Sequence, residues 1–297
     1  MPNAREIKER IGSIEATRKI TNAMYLISST KLRKAKKELA DTEPYFYTLQ
    51  TTIERLIRHS PEVEHIFLKD IDEIPEDKRK KGLIIVTADK GLAGAYNHNI
   101  LKMADEWLAT PGEHTLFVIG EVGRVYFEGK GIPIDTHFRY TAQDPSLNRG
   151  RRIISNITEK YLAGELDTID IVYTRMVNSM VTEAESRRLL PVDRKKILAN
   201  IPKEFLGGEE ITMEPSIKAV FDRVIPNYLV GFVFGALVES FCSEQNARMS
   251  AMQNANDNAA DMLRELSIEY NRVRQGAITQ EITEVVAGAR SQQNKQE

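Results

Sequence analysis

The residues most suggestive of chemistry lie in VTADKGLAGAY at 86–96, where a buried strand meets a glycine-containing turn and the start of a helix. Such a turn can bind phosphate through the backbone amides at a helix N-terminus. Gly91 and Gly94 are spaced G-x-x-G, however, so they do not form G-x-G-x-x-G, and no G-K-[ST] follows. The spacing favours a tight strand-to-helix turn over a nucleotide site.

Other reactive side chains lack the partners that catalysis requires. Ser28 and Lys31 match S-x-x-K, a nucleophile pattern of penicillin-recognising enzymes, but no S-D-N or K-T-G accompanies them. The 5 histidines have no spacing suited to a metal, and no G-x-S-x-G is present. The sequence therefore predicts no catalytic residue, no metal site and no directly bound cofactor.

The clearest charged feature is a basic run without acidic residues between Ala16 and Lys37. Its members are Arg18, Lys19, Lys31, Arg33, Lys34, Lys36 and Lys37. The run is either a solvated helix face or a surface for an acidic partner. Nucleic acid fits less well, because the rest of the chain is not basic and the formal net charge is −2.

Composition limits the class of protein. The 297 residues suffice for one large domain or two modest ones, and only 7% of them are aromatic, which indicates a lean core and an elongated shape. The single cysteine, Cys242, fits a reducing compartment. The charged N-terminus does not resemble a secretory signal. The longest apolar run, YLVGFVFGALV at 228–238, is far shorter than the ~20 residues that span a bilayer. Gly231 and Gly235 within it would let a neighbouring helix approach closely.

Both ends of the chain have the apolar spacing of long helices. Residues 3–58 carry apolar side chains every three or four positions, and Asn3 with Glu6 forms a capping-box pattern at the start. From Pro215 the same spacing returns and continues to the last residues. Because neither helix can bury its apolar stripe alone, the sequence predicts that the two pair antiparallel as a coiled coil.

The segment between these helices has the pattern of an α/β domain. Five predicted strands (GLIIVTA, HTLFVIG, GIPIDTHF, DTIDIVYTRM and VTEAESRRLLPV) and the helices among them indicate a mostly parallel sheet covered on both faces. The expected organisation is an N-terminal stalk helix at 1–59, a linker at 60–81, the central α/β domain at 82–192, a loop or foot at 193–214, and a C-terminal stalk helix at 215–297.

The last helical turns carry an apolar stripe that no later element can cover. Ile278, Ile282, Val285 and Val286 have helical spacing within ITQEITEVVAGAR at 278–290. We expect them to pack near the apolar residues at the start of the other terminal helix, which are Ile7, Ile11 and Ile14. Such a patch usually marks a binding surface, so another protein is expected to cover this apolar tip.

Several segments resemble the gamma subunit family of bacterial F-type ATP synthases. ITQEITEVVAGARS at 278–291 fits the family's C-terminal signature, I-T-x-E-x-x-E-x-x-x-G-A-x-S. TRKITNAMYLISSTKLRKAK at 17–36 is similar to the family's N-terminal helix, and SEQNARMSAMQNANDNA at 243–259 to its mid-stalk segment. TADKGLAGAYN at 87–97 resembles the S-D-R-G-L-C-G turn, with Ala93 where many members have Cys. The likeness covers nearly the whole chain.

The resemblance implies a rotor shaft that couples proton translocation to ATP synthesis or hydrolysis without an active site of its own. The coiled coil would turn inside a ring of three alpha and three beta subunits, which hold the nucleotide. The positions that match the family's ring contacts are Met24, Arg248, Arg274, Gln275, Thr279 and Glu281. The apolar tip, consisting of Ile7, Ile11, Ile282, Val285 and Val286, would turn in a hydrophobic sleeve, and the basic run would face acidic loops of the ring.

The resemblance further implies binding to an epsilon subunit and a membrane c-ring, without nucleic acid and without direct insertion into the bilayer. The expected location is the cytoplasmic face of the cell membrane, as a peripheral part of the F1 sector. Two rival interpretations stay open. A nucleotide-dependent enzyme would need a phosphate loop at 87–96, whereas a passive structural coiled coil would need the apolar seam but not the C-terminal signature.

Overall fold

The computed structural model of the chain describes residues 4–178, 181–199 and 213–293. The chain divides into two compact units, one formed by 1–27 with 249–297 and the other by 28–248. Helix α1 (Ala4–His59) and helix α6 (Ile217–Gln293) each contribute to both units. The predicted terminal helices are thus confirmed, although Asn3, the predicted cap, lies outside the described residues.

The first unit is an antiparallel helix pair, as predicted. Positions that are buried or half-buried recur every three or four residues on both helices: Ala4, Ile7, Ile11 and Ile14 on α1, and Leu263, Leu266, Tyr270 and Val273 on α6. The Thr21 hydroxyl is hydrogen-bonded to the side-chain oxygen of Asn256. Because the helices are antiparallel, moving two heptads along each helix from that pair places Ile7 opposite Tyr270.

The predicted packing of Ile7 and Ile11 against Ile282, Val285 and Val286 is not found. Val273 is the last half-buried position of α6 up to residue 288, and every residue from 274 to 288 is exposed. Ile282 lies about twelve residues beyond Tyr270, roughly 18 Å along the helix axis. Ile7 is buried, whereas Ile282 is 59% and Val285 72% exposed. Ile7 and Ile11 therefore do not pack against Ile282, Val285 and Val286, because α6 continues past the described start of α1.

The second unit contains a four-stranded sheet of order β2-β1-β3-β4. The strands are β1 (Lys80–Val86), β2 (Glu113–Ile119), β3 (Thr168–Met176) and β4 (Thr182–Leu190). β1 is parallel to β2 and β3, and β4 is antiparallel to β3. The predicted α/β class with a mostly parallel sheet is confirmed.

Both faces of the sheet are buried along most of β1 and β3 and at the end of β2, which explains the unbroken apolar runs of these strands, whereas β4 is polar and mostly exposed or half-buried. Leu83 and Ile85 pack against α2 (Tyr96–Leu108) and α3 (Glu121–Gly129) on one face. Ile84 and Val86 belong to the larger core on the other face, with α4 (Leu147–Leu162), the end of α1 and the start of α6. An 18-residue window in α6 is apolar enough to cross a membrane by composition, but 61% of it is buried within the chain, as in a core helix.

Two sequence expectations for this unit fail. Residues 60–81 are not a free linker, because Phe67 and Leu68 are buried in the core and the Phe67 ring stacks on Tyr161 at 6.1 Å. GIPIDTHF at 131–138 makes only an isolated bridge, between Ile134 and Leu116, in place of a strand. The Asp135 carboxylate accepts the backbone N–H groups of the two residues 137 and 138, which competes with a strand ladder.

The predicted loop at 193–214 is only partly described. Arg194–Ala199 forms the short helix α5. Residues 200–212, which hold most of the expected foot segment, lie outside the described residues.

Candidate functional site

The turn after β1 is fixed by the carboxylate of Asp89, one of its own residues. Asp89 accepts hydrogen bonds from the backbone amides of Ala142 (3.1 Å), Gln143 (3.3 Å) and Glu121 (3.3 Å), and from the Thr141 hydroxyl. Glu121 is the first residue of α3, so an anion belonging to the chain already lies at that helix N-terminus. These amides are therefore hydrogen-bonded within the chain.

Arg248, one of the predicted ring contacts, points into the chain. Its Nη2 donates to the carbonyl oxygens of Lys90 (3.2 Å) and Gly91 (3.1 Å), and its Nη1 donates to Glu244 Oε1 (2.6 Å). Arg248 is 7% exposed and Glu244 is fully buried. Burial raises the pKa of Glu244 above its ordinary value, while the Arg248 guanidinium acts in the opposite direction. The contact of Arg248 with a partner stays a prediction.

The basic run on α1 contains one half-buried cation and several exposed ones. Lys31 Nζ donates to Gln143 Oε1 at 2.8 Å and lies 6.0 Å from the centre of the Phe241 ring. The other members of the run, Arg18, Lys19, Arg33, Lys34, Lys36 and Lys37, are exposed. Lys34 comes within 4.0 Å of Glu38 on the same helix, which is a weak surface pair.

The remaining predicted ring contacts lie in the first unit. Arg274, Gln275, Thr279 and Glu281 on α6 are exposed, directly after the last seam position, and Met24 on α1 is half-buried. The Thr279 hydroxyl donates to the Gln275 carbonyl oxygen at 2.9 Å. Gln275, Thr279, Ile282 and Val286 follow one another at helical intervals of three and four, so polar and apolar candidates share one face of the exposed segment.

Sequence reasoning missed several exposed apolar side chains, among which Ile20, Ile27 and Leu92 lie near a predicted site residue or in the turn after β1. Ile20 and Ile27 on α1 are 62% and 57% exposed and lie four residues before and three after Met24, on its face of the helix. Their position off the coiled-coil seam was the available signal. Leu92 in the turn after β1 is 66% exposed and has φ 61°, a conformation that is uncommon for a residue with a large side chain.

The described part of the chain contains no group of three or more His, Cys, Asp or Glu side chains that could hold a metal ion. The arrangement consists of a coiled-coil end with exposed apolar and polar groups, and separately of a sheet edge whose turn is bound by Asp89 and Arg248. The exposed apolar groups are typical of a surface that another protein covers, whereas the contacts of the turn are made within the chain.

Comparisons with known proteins agree along the whole chain. The family model described as ATP synthase matches residues 3–291. The chain is 43% identical over 289 residues to the ATP synthase gamma chain of Ruminiclostridium cellulolyticum, covering 97% of this chain and 98% of that one. It is 33% identical over 300 residues to the ATP synthase gamma chain, sodium ion specific, of Acetobacterium woodii, covering 97% and 98%.

Solved structures share the fold at low sequence identity. A chain of the Euglena gracilis mitochondrial ATP synthase, in a structure of its OSCP, F1 and c-ring, is similar with a TM-score of 0.68 and 18% identity, covering 99% of this chain and 96% of that one. A chain in a structure of the central stalk and c-ring of the Tetrahymena thermophila mitochondrial ATP synthase is similar with a TM-score of 0.59 and 20% identity, covering 80% of this chain and 99% of that one. From the family match and these curated relatives, the chain belongs to the family of ATP synthase gamma chains.

Proposed function

We propose that this chain is the central rotor shaft of an F-type ATP synthase and couples proton translocation to ATP synthesis or hydrolysis by rotating inside a ring of three alpha and three beta subunits. The observation that carries the proposal is the segment of α6 beyond Val273. It continues past the seam, exposes Ile282 and Val285, and carries the C-terminal signature. Exposed apolar side chains at this density indicate a surface that another protein covers.

A rotor needs contacts whose energy depends on its angle. A helix face that carries both Arg274–Gln275 and an apolar stripe can supply them, because directional polar bonds form at particular angles whereas apolar contact is non-directional. Each beta site would then be biased toward open or closed states by the different surface that it meets. The nucleotide and its chemistry belong to the alpha and beta subunits, and this chain has no active site and no cofactor of its own.

The binding of Asp89 and Arg248 around the turn at 89–94 supports this non-catalytic role. Both the amides near α3 and the carbonyl oxygens of Lys90 and Gly91 are used within the chain. The further partners that we propose are an epsilon subunit and the membrane c-ring. The location that follows is the cytoplasmic face of the cell membrane, as a peripheral part of the F1 sector.

Assembly and pumping test the proposal. The chain should co-purify with alpha and beta subunits in a three-to-three ring, and the complex joined to its membrane sector should pump protons when ATP is added. A chain ending at Val273 keeps the seam but lacks the exposed segment, and we expect it to uncouple hydrolysis from pumping. Full pumping by the shortened chain, or saturable micromolar binding of ATP to the isolated full chain, would contradict the proposal.

A further inference from the structure

Helix α6 occupies the edge of the sheet at which α/β proteins usually bind their ligands, outside the carboxyl ends of the parallel strands. The buried Ser240 hydroxyl accepts the backbone N–H of Thr174, near the end of β3, at 3.0 Å. Ala247, seven residues after Ser240 on the same helix, packs with Ala88, Ala93 and Tyr96 beyond the end of β1. A helix of the same chain therefore occupies the place at which a ligand usually binds.

Arg248 binds the most constrained part of this edge. Its two carbonyl acceptors belong to Lys90 and Gly91, directly before Leu92 with its positive φ. A non-glycine residue keeps such a conformation only where its surroundings hold the backbone in place. Asp89 holds the turn from the side of α3, and Arg248 holds it from the side of α6.

The same set of contacts reaches α1. The Gln143 backbone amide donates to Asp89, and the Gln143 side chain accepts from Lys31 of α1 at 2.8 Å. The turn thus joins α1 and α6 to the sheet at one point. The residues that make these contacts are Lys31, Asp89, Gln143, Ser240 and Arg248.

We propose that Arg248 is a positioning residue that fixes the turn at 89–94 to α6, so that the sheet and α6 rotate as one body, and that it acts through this turn rather than by touching an acidic loop of the ring. The inference rests on the proposed rotor function. The buried, charge-assisted bonds from one guanidinium to two carbonyl oxygens tie a loop of the sheet to the helix, and its Nη1 donates to Glu244 of the same helix.

The test uses the assembled complex with its membrane sector. The main variant is Glu244→Gln together with Arg248→Gln, because Arg248→Gln alone would leave a buried carboxylate without its cation. Arg264→Gln, on an exposed part of α6, is the matched control. Amide hydrogen exchange of residues 89–95 and protons pumped per ATP hydrolysed are both measured. In the double variant we expect exchange to become roughly tenfold faster and pumping per ATP to fall, whereas the control changes neither.

A double-mutant cycle separates action through the turn from direct contact with the ring. Asp89→Asn weakens the contacts on the other side of the turn. Combined with the Glu244→Gln, Arg248→Gln variant, it should lower pumping by less than the product of the two separate effects. If the effects on pumping multiply and exchange in the turn is unchanged, the inference is overturned and Arg248 is assigned to the ring. Faster exchange in the turn with full pumping would also overturn the inference. If the double variant does not assemble, Arg248→Lys replaces it, and lost pumping with unchanged exchange is again the contradicting result. A wild-type complex that does not pump would instead contradict the proposed function.

Discussion

The ring of Phe46 on α1 lies directly over Gly231 on α6, so close that a Cβ atom at residue 231 would come within 1.8 Å of Phe46 Cδ1. Gly231 therefore permits close packing of α1 on α6 within the second unit. Gly235, one helical turn further along, has no atom within 4 Å of the position of its missing Cβ. Two glycines in the same helix thus differ in what they do.

Gly231→Ala and Gly235→Ala form a matched pair of substitutions. Gly231→Ala should lower the free energy of unfolding by about 1–3 kcal/mol, because the ring of Phe46 must move out of a packed position. Gly235→Ala should be neutral or should stabilise by up to about 1 kcal/mol through helix propensity. Denaturant unfolding of the full chain measures both, and equal effects at the two positions would contradict the packing described here.

Helical spacing predicted the terminal helices well, because their apolar residues are regular over many turns. The same signal could not set the axial register. The register depends on which residues of the two helices lie opposite each other, as Thr21 and Asn256 do. The packing predicted at the tip was therefore wrong. The strand at 131–138 was predicted from β-branched residues, but Asp135 binds the local backbone instead. Phe67 and Leu68 were missed because the charged residues and prolines around them indicated a linker.

The candidate site was predictable only where its residues are exposed. Arg274, Gln275, Thr279 and Glu281 came from the resemblance to the family, and the structure leaves them on the surface. Arg248 came from the same resemblance, yet its inward direction depends on the fold, which brings the turn at 89–94 next to α6. No pattern along the chain reports such a long-range contact.

The apolar residues of the exposed α6 segment should matter for assembly rather than for folding. Ile282→Ser with Val285→Ser should leave the Tm of the free chain nearly unchanged, since both side chains are exposed, but should lower the yield of complex or its coupling. Ile268→Ser is the control, because Ile268 is 65% exposed on the same helix but outside the segment. Equal losses in complex yield for the control would show that the segment has no special role.

Charge at the start of the exposed segment should affect coupling more than stability. A desolvated, charge-assisted hydrogen bond contributes roughly 1.5–3 kcal/mol, against about 0–1 for an exposed ion pair. Replacing Arg274 and Gln275 with Ala should therefore reduce turnover and ATP synthesis far more than Tm, and Met24→Lys should disturb coupling by adding a charge. The assays are ATPase rate, assembly yield and ATP-driven pumping. Intact assembly with unchanged pumping and turnover in both variants would show that these groups are only solvated.

Glu239 on α6 should make stability depend on pH. Its Oε2 is buried without a hydrogen-bond partner among the described residues. Burial and the nearby Glu185 carboxylate raise the pKa of Glu239. A hydrogen bond from the Met176 backbone and the charges of Arg175 and Arg187 oppose the rise. Because the folded-state pKa exceeds the unfolded one, the ionised form opposes folding, and this cost grows as pH rises above about 4.3. Glu239→Gln should thus raise Tm at pH 8 and should make little difference at pH 4.

The control for Glu239 is Glu265→Gln, an exposed position of α6, for which we expect no change at either pH. Thermal unfolding at the two pH values measures both variants. A lower Tm of Glu239→Gln at pH 8 would mean that the attraction of Arg175 and Arg187 exceeds the cost of burial.

Rotation of a probe on this chain tests the central claim most directly. Cys242 is the single cysteine and is buried, so Cys242→Ala with Glu106→Cys places one reactive thiol on the exposed side of α2. With the alpha–beta ring fixed to a surface and a bead on this thiol, ATP should drive rotation in one direction, in three equal steps per turn. Continued ATP hydrolysis with a bead that does not turn would contradict the account of this chain as a rotor shaft.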